Sequence, residues 1–437
     1  MELAKYLGKG IWGLADKALP VLYGVAFVVL VIRVLPEEEF GNFVLVQEIF
    51  LIISGLAQGF ALQPLLKYAA EEDGGTAGIV SAGLVLNTVF TIVCGAIVVL
   101  SRDLIAALLN SPLLSPLLLL LPAMLAASLL RNFTLVLLQA RFHIREIFWT
   151  DAVHFLGAPA LVYGLSKLNR FDTAYDLIII NVISMTASSL VGMWYSRSLF
   201  TFRLAFSRDE VAKLWNYGTY SLGGIVSYLF TTRADSFILA AFTGPVQVAV
   251  YNSVKVFARL YDMVTQVVQM FVFPATSMLS SKRQEGQLTA ALEKSILFST
   301  VGMIPVFLIL LTLASPLLGV LYGSRYAEAI PLLQIFSLLS FVVPAAAVAS
   351  SVLLGLGHAR LVFLISVQSL IAAVALYLAC IPMLGPLGAT IGYILASVVF
   401  AWLNVRHMRR FVPLTLRAVL ARTNDIKQFL KTHLRRA

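Results

Sequence analysis

Apolar stretches of about 18–28 residues, the length needed to cross a hydrocarbon core roughly 30 Å thick, recur along the whole chain. They fall near residues 12–34, 40–66, 77–100, 113–138, 147–167, 174–197, 214–242, 247–275, 290–318, 329–354, 360–381 and 386–408. Backbone N–H and C=O groups inside lipid find no water, so each stretch must satisfy its hydrogen bonds internally, as a helix does. Outer-membrane strands would run about ten residues with strict alternation of apolar and polar positions. No part of the chain reads that way. The sequence predicts an all-α integral membrane protein of about twelve transmembrane helices. Composition agrees: 59% of the 437 residues are hydrophobic and 12% charged, against roughly 45–50% and 25% in a soluble domain.

Turn chemistry separates the stretches. Pro36 precedes Glu37, Glu38 and Glu39; further breaks fall at Glu71-Glu72-Asp73-Gly74-Gly75, Ser111-Pro112, Gly244-Pro245, residues 281–286, Gly323-Ser324 and Gly385-Pro386. Such short connections suit neighbouring antiparallel helices. A net charge of +10 would suggest nucleic acid in a soluble protein, but in a membrane protein basic residues mark cytoplasmic loops. With the N-terminus inside, the outer loops hold five: Arg33, Arg102, Lys167, Arg170 and Arg325. The inner loops hold more, among them Arg141, Arg145, Arg197, Arg203, Arg208, Lys213, Lys282 and Arg283, and nine follow from Arg406 onward. A multi-pass protein of the cytoplasmic (inner) membrane with both termini cytoplasmic is expected, with no nucleic-acid partner. The first stretch has no small-residue cleavage site and reads as a retained helix. Cys94 and Cys380 lie in different apolar stretches and read as packing residues.

The chain repeats itself. Residues 34–43 overlie residues 242–251, each run joining a first helix to a second through a short outer turn. Gln63-Pro64 and Phe273-Pro274 both precede a charged inner loop, and the basic loop at Arg145 corresponds to Arg360. Both halves begin inside, so the repeat is parallel, about an axis along the membrane normal. The expected organisation is an N-terminal six-helix lobe (1–208) and a C-terminal six-helix lobe (209–410) around a central cavity. Residues 411–437 place Leu416, Val419, Leu420, Ile426 and Phe429 at helical spacing among basic residues. They read as a basic amphipathic segment on the cytoplasmic leaflet; a solvated tail is the other reading.

A charge at bilayer depth costs at least about 2.5–3.5 kcal/mol on insertion scales, so it needs a cavity, a partner or a function. The seventh and eighth stretches concentrate such charges: Arg233 and Asp235, then Lys255, Arg259 and Asp262. At 100° per residue, positions 255, 259 and 262 fall within about 60° of one another on a continuous helix. Arg233 and Asp235 stand about 200° apart, so one lines the cleft while the other turns to its own bundle, where Asp235 can meet Lys255 or Arg259. Two readings are open. Arg233, Lys255 and Arg259 form a cationic wall for an anionic head group, held in place by Asp235 and Asp262, or the set only locks two helices together. In the first half, Glu48 is the most isolated acid at depth, either a proton- or sodium-coupling carboxylate or a hydrogen-bonded structural one. Arg131, beside Asn132, is a further candidate for the head group; Asp151 and His154 lie near the inner end of the fifth stretch, where a lone histidine reads as structural. No glycine loop ending in Gly-Lys-Ser/Thr is present, no His, Cys and carboxylate residues show metal spacing, and the outer loops are short. No ATP hydrolysis, cofactor, metal or enzymatic activity is expected.

The run at 233–260, RADSFILAAFTGPVQVAVYNSVKVFARL, and FPATSMLSS at 273–281 resemble the seventh and eighth helices of Wzx-type polysaccharide flippases. LPEEEFGNFVLVQ at 35–47 resembles the first outer turn of that family, and MLGPLGATIGYILASVVFAWLN at 383–404 its last hairpin. The family belongs to the multidrug/oligosaccharidyl-lipid/polysaccharide exporter superfamily, and the resemblance covers residues 10–410. It implies alternating-access flipping of a polyprenyl-pyrophosphate-linked oligosaccharide through a cationic cavity onto which Arg233, Lys255 and Arg259 map. The family's lipid II flippases usually carry two further helices, so the resemblance points away from a peptidoglycan precursor. Expected partners are the lipid-linked oligosaccharide, membrane lipids and glycan polymerase or assembly proteins. The alternatives are a cation-coupled multidrug exporter of the same superfamily, which needs acidic or aromatic cavity residues, and a membrane glycan polymerase or ligase, which needs catalytic outer loops.

Overall fold

The computed structural model describes residues 2–70, 77–199, 207–281, 285–413 and 415–422, and every regular element among them is a helix. The charged break at 71–75, the inner-loop residues Arg203, Lys282 and Arg283, and the tail beyond Arg422 lie outside the described residues. The helices are α1 (Glu2–Val34), α2 (Glu37–Ala70), α3 (Ala77–Leu100), α4 (Leu114–Ala140), α5 (Ile144–Lys167), α6 (Ala174–Ser196) and α7 (Arg208–Thr243). Then come α8 in two parts (Pro245–Lys255 and Ala258–Ser281), α9 (Glu285–Thr312) and α10 in two parts (Ile330–Phe336 and Leu339–Gly355).

The remaining 50-residue stretch, Ala359–Met408, reverses at Gly385, whose φ is +55°. A Cβ built on Gly388 would lie 2.2 Å from the carbonyl oxygen of Cys380. Eight residues along a straight helix are about 12 Å apart, so the chain has folded back into an antiparallel hairpin of α11 (359–384) and α12 (386–408). Only glycine enters this positive-φ region cheaply. By length and composition, eight described helices can cross a membrane, or ten when each of two bent pairs counts as one span. The α11/α12 hairpin adds one more pass. So does α5, which has 24 residues but is made less apolar by Asp151 and His154. The protein is therefore a multi-pass membrane protein with the twelve expected segments.

Local chemistry explains the irregular places. Pro64 has no N–H, and its ring crowds the carbonyl four residues back, that of Phe60. The helix answers with a π turn over Gln58–Leu62, the widening that relieves such a clash. Helix α7 opens with a capping box: Ser207 Oγ accepts from the Glu210 N–H, and the Glu210 carboxylate accepts from the Ser207 N–H, satisfying two donors that a helix start leaves orphaned. It ends at Gly244 (φ +79°), after which Pro245 starts the first part of α8. The two parts of α8 are separated by Val256 and Phe257. Here the N–H groups of Phe257, Arg259 and Leu260 donate to the carbonyls of Val254, Val256 and Phe257, three residues back, the tighter 3₁₀ pattern.

The chain divides into two compact units, Met1–Ser253 and Val254 onward. The first holds α1 to α7 and most of the first part of α8. Its core includes Phe60, Leu62, Leu65, Val80, Phe133, Leu137 and Leu214. Helix α7, which the sequence repeat assigns to the second lobe, packs along α2 here. A Cβ on Gly218 would fall 2.0 Å from the Phe60 carbonyl oxygen, and one on Gly41 would fall 1.9 Å from that of Pro245. Gly55 and Gly59 likewise receive Leu229 and Ile225. Small residues let helices in lipid approach this closely, where packing rather than the hydrophobic effect drives association. The lobe division at residue 208, drawn from the repeat, stays a proposal.

The second unit is built on Val268, Val272, Leu288, Leu292, Val348, Val352 and Ile365. Its core also takes in Val412 and Val419. Val419 lies in the short α13 (Leu416–Ala421), just before Arg422, which donates to Glu293 on α9 at 2.8 Å. The start of the segment expected to lie on the leaflet is thus docked onto its own unit.

Candidate functional site

Glu48 on α2 and Arg233 on α7 meet at 2.6 Å, the side chains 7% and 25% exposed. Eleven residues separate Glu48 from the start of α2 and ten separate Arg233 from the end of α7. Both ends meet the short outer turns, so each charge lies about 15–17 Å in, near the middle of a roughly 30 Å core. The expected isolation of Glu48 is therefore corrected: its carboxylate accepts from a guanidinium of a different helix. The geometry is that of a charge-assisted hydrogen bond.

Asp235 is fully buried. Its Oδ2 accepts from the Tyr251 hydroxyl at 2.6 Å, and its Oδ1 from the Ser236 N–H at 2.8 Å. Arg233 and Asp235 thus serve different helices, α2 for the first and the start of α8 for the second. The role of Tyr251 has no trace in a search restricted to charges.

A second polar cluster lies inside the first unit, among α1, α4, α5 and α6. Arg131 Nη2 donates to Asp151 Oδ1 at 2.5 Å and its Nε donates to Ser188 Oγ at 3.1 Å. Its guanidinium stands 5.3 Å from the centre of the Phe155 ring, within cation–π range. The Ser188 hydroxyl donates onward to the Thr150 carbonyl at 2.5 Å. Nearby, His154 Nδ1 lies 2.9 Å from Ser184 Oγ, and the Tyr23 hydroxyl donates to Asn181 at 3.3 Å. Asp151 is thus the counter-charge of Arg131. The sequence holds a signal for this pair: the two residues lie nearly equal distances either side of the tight turn at Phe142 (φ +55°), and hence at one depth.

In the second unit Lys255, Arg259 and Asp262 flank the break in α8. Lys255 closes its first part; Arg259 and Asp262 lie in its second. The continuous helix expected beneath these three is corrected: two residues with 3₁₀ bonding intervene, so a uniform 100° spacing does not run from Lys255 to Asp262. Lys255 and Arg259 are partly buried, and Asp262 is exposed. Among the described residues no group of three or more His, Cys, Asp or Glu side chains is placed to hold a metal ion.

Arg131 and Arg233 each hold one carboxylate oxygen within hydrogen-bond distance. Guanidinium suits carboxylate and phosphate alike, since its planar fork donates two parallel hydrogen bonds.

Comparison with known proteins finds relatives named for glycan biosynthesis. The chain is 24% identical over 208 residues to Agl15 of Haloferax volcanii, named a probable low-salt glycan biosynthesis flippase; the match covers 48% of this chain and 44% of that protein. It is 23% identical over 346 residues to the succinoglycan biosynthesis transport protein ExoT of Rhizobium meliloti, covering 78% of this chain and 68% of that one. The chain spans less than half the length of the first curated relatives it matches. Its fold is that of a solved structure of the lipid II flippase MurJ in an inward closed conformation, with a TM-score of 0.76, 13% identity, and 95% of this chain and 89% of that one covered. Residues 29–331, more than half of the chain, match the family described as polysaccharide biosynthesis protein, and to that family this membrane protein belongs.

Proposed function

We propose that this protein translocates a polyprenyl-pyrophosphate-linked oligosaccharide across the cytoplasmic membrane for surface polysaccharide synthesis. The observation that carries the reading is the Arg233–Glu48 pair at mid-membrane depth in a chain of the polysaccharide biosynthesis family. The anionic head group competes with Glu48 for Arg233, and Lys255 and Arg259 at the broken turn of α8 supply further positive charge. Glu48, once displaced, needs a proton or another cation in the low-dielectric core, so it is the carboxylate through which coupling to an ion runs. Asp235 and Asp262 hold their segments, and Arg131, held by Asp151, is a second contact for the head group.

Transport proceeds by alternating access of two six-helix lobes, residues 1–208 and 209–410, with the sugar in the cavity and the lipid tail in the bilayer. The excess of Lys and Arg in alternate loops supports cytoplasmic termini. The basic residues from Arg406 onward favour a cytoplasmic C-terminal segment, to which a polymerase or assembly protein would have access. The activity is transport, with no bond made or broken in the glycan. The test is complementation of glycan export in a strain lacking the protein: Arg233→Ala and Arg259→Ala should each reduce surface glycan at equal membrane abundance. Full export by both variants would remove the anion-binding reading.

A further inference from the structure

A groove of about 460 Å³ lies between α10 and α12 in the second unit. From α12 and its C-cap residue the wall is Val398, Trp402, Val405 and Arg409, a spacing of four, three and four residues that keeps one helix face. Phe341 and Ala345, one turn apart, form the facing wall from α10. Arg406 joins Arg409 at one end, its guanidinium 5.0 Å from the centre of the Trp402 ring.

Three features select the occupant. Phe341 and Trp402 are 44% and 54% exposed, so apolar surface along the groove is uncovered by protein. Among the described residues no carboxylate forms an ion pair with Arg406 or Arg409, so the positive end is not neutralised from within. The length also fits: eleven residues from Val398 to Arg409 span about 16 Å, half of a roughly 30 Å core. The groove is one leaflet deep, apolar toward the midplane and cationic at the membrane face where α12 ends.

We propose that this groove is a binding site for one anionic phospholipid of that leaflet. Its phosphate sits on Arg406 and Arg409, and one acyl chain runs along Val398, Val405 and Phe341. Basic pockets between transmembrane helices take such head groups, guanidinium matches phosphate geometry, and Trp402 provides an amphipathic ring of the kind that anchors at the interface. The site shares no residue with the proposed head-group contacts and does not depend on the transport reading; the lipid it holds braces α12 against α10.

Native mass spectrometry of the detergent-purified chain tests this, with phosphatidylglycerol and phosphatidylcholine of identical chains as probes. One equivalent of phosphatidylglycerol should be retained, preferred roughly thirty-fold if each arginine contributes as basic residues near anionic lipid do. Arg406→Gln/Arg409→Gln should abolish that preference, and Arg410→Gln, outside the groove, should leave it intact. Should the double variant not survive extraction, Ala345→Trp, which fills the groove and keeps both arginines, should also lose the retained lipid. Equal retention of the two lipids, or a preference that persists in both groove variants, overturns the proposal. So does displacement of phosphatidylglycerol by equimolar polyprenyl phosphate, which would make the groove a site for the carrier.

Discussion

Replacing Glu48 by Gln keeps an acceptor of the same shape on α2 and removes the charge facing Arg233. Breaking a buried ion pair from one side typically costs about 3–5 kcal/mol. The Arg233 side chain is 25% exposed and Glu48 7%, so the low end applies, about 3 kcal/mol. The unit that holds both residues spans Met1–Ser253. For a unit of that size about 1 kcal/mol corresponds to roughly 2–4 °C, so Tm should fall by about 6–12 °C. The assay is thermal unfolding in detergent, read by the fraction that elutes as a monodisperse peak after heating. Arg233→Gln should cost a similar amount, and Glu48→Gln/Arg233→Gln should recover about 2 kcal/mol of the summed loss, since residues in one ion pair do not add. If the double variant shows the simple sum of the two losses, the pair carries no energy and the reasoning fails.

Other outcomes follow from the same structure. Gly41→Ala drives a Cβ to within 1.9 Å of the Pro245 carbonyl oxygen, so about 1–3 kcal/mol of overpacking should lower Tm. Gly157→Ala on α5, where nothing lies within 4 Å of the added carbon, should be neutral or stabilising in the same melt. Asp151→Asn should destabilise by about 3 kcal/mol, and Arg131→Met/Asp151→Leu should restore most of it, because an apolar pair desolvates at little cost; a double variant no better than Asp151→Asn would count against the pairing. Arg422→Ala removes the Glu293 contact, whose arginine is 37% exposed. It should cost no more than about 1 kcal/mol, seen as at most about five-fold faster hydrogen exchange over residues 415–422.

Much of the fold can be read from the sequence because lipid leaves the backbone few choices. Stretch length and hydropathy fix the twelve segments, Gly385-Pro386 marks the last hairpin, and Ser207 followed by Glu210 is a capping box in plain sequence. The depth of each charge is legible in the same way, by counting from the nearest turn. Azimuth and packing are not. Glu48 and Arg233 share a depth, but only the glycines along α2 and α7 bring those helices close enough to join them. Likewise, nothing within Val254–Arg259 is a proline or glycine, so no local signal announces that α8 breaks between Lys255 and Arg259. Helical spacing alone therefore draws a continuous helix through a place where the chain breaks. Asp151 carries no assigned role in the sequence; only the folding of α4 and α5 on each other shows that it faces Arg131.

The central claim is that Arg233 receives the anionic head group in place of Glu48. The most direct measurement is flipping by the purified protein in liposomes, with the same oligosaccharide linked to polyprenyl pyrophosphate or to an uncharged lipid. Wild-type protein should move the pyrophosphate-linked glycan saturably and the uncharged one at background rate. Arg233→Gln should lower the former by at least about ten-fold, the loss of one charge-assisted contact of roughly 1.4 kcal/mol or more. Equal transport of both lipids, or an undiminished rate in Arg233→Gln, would contradict the claim.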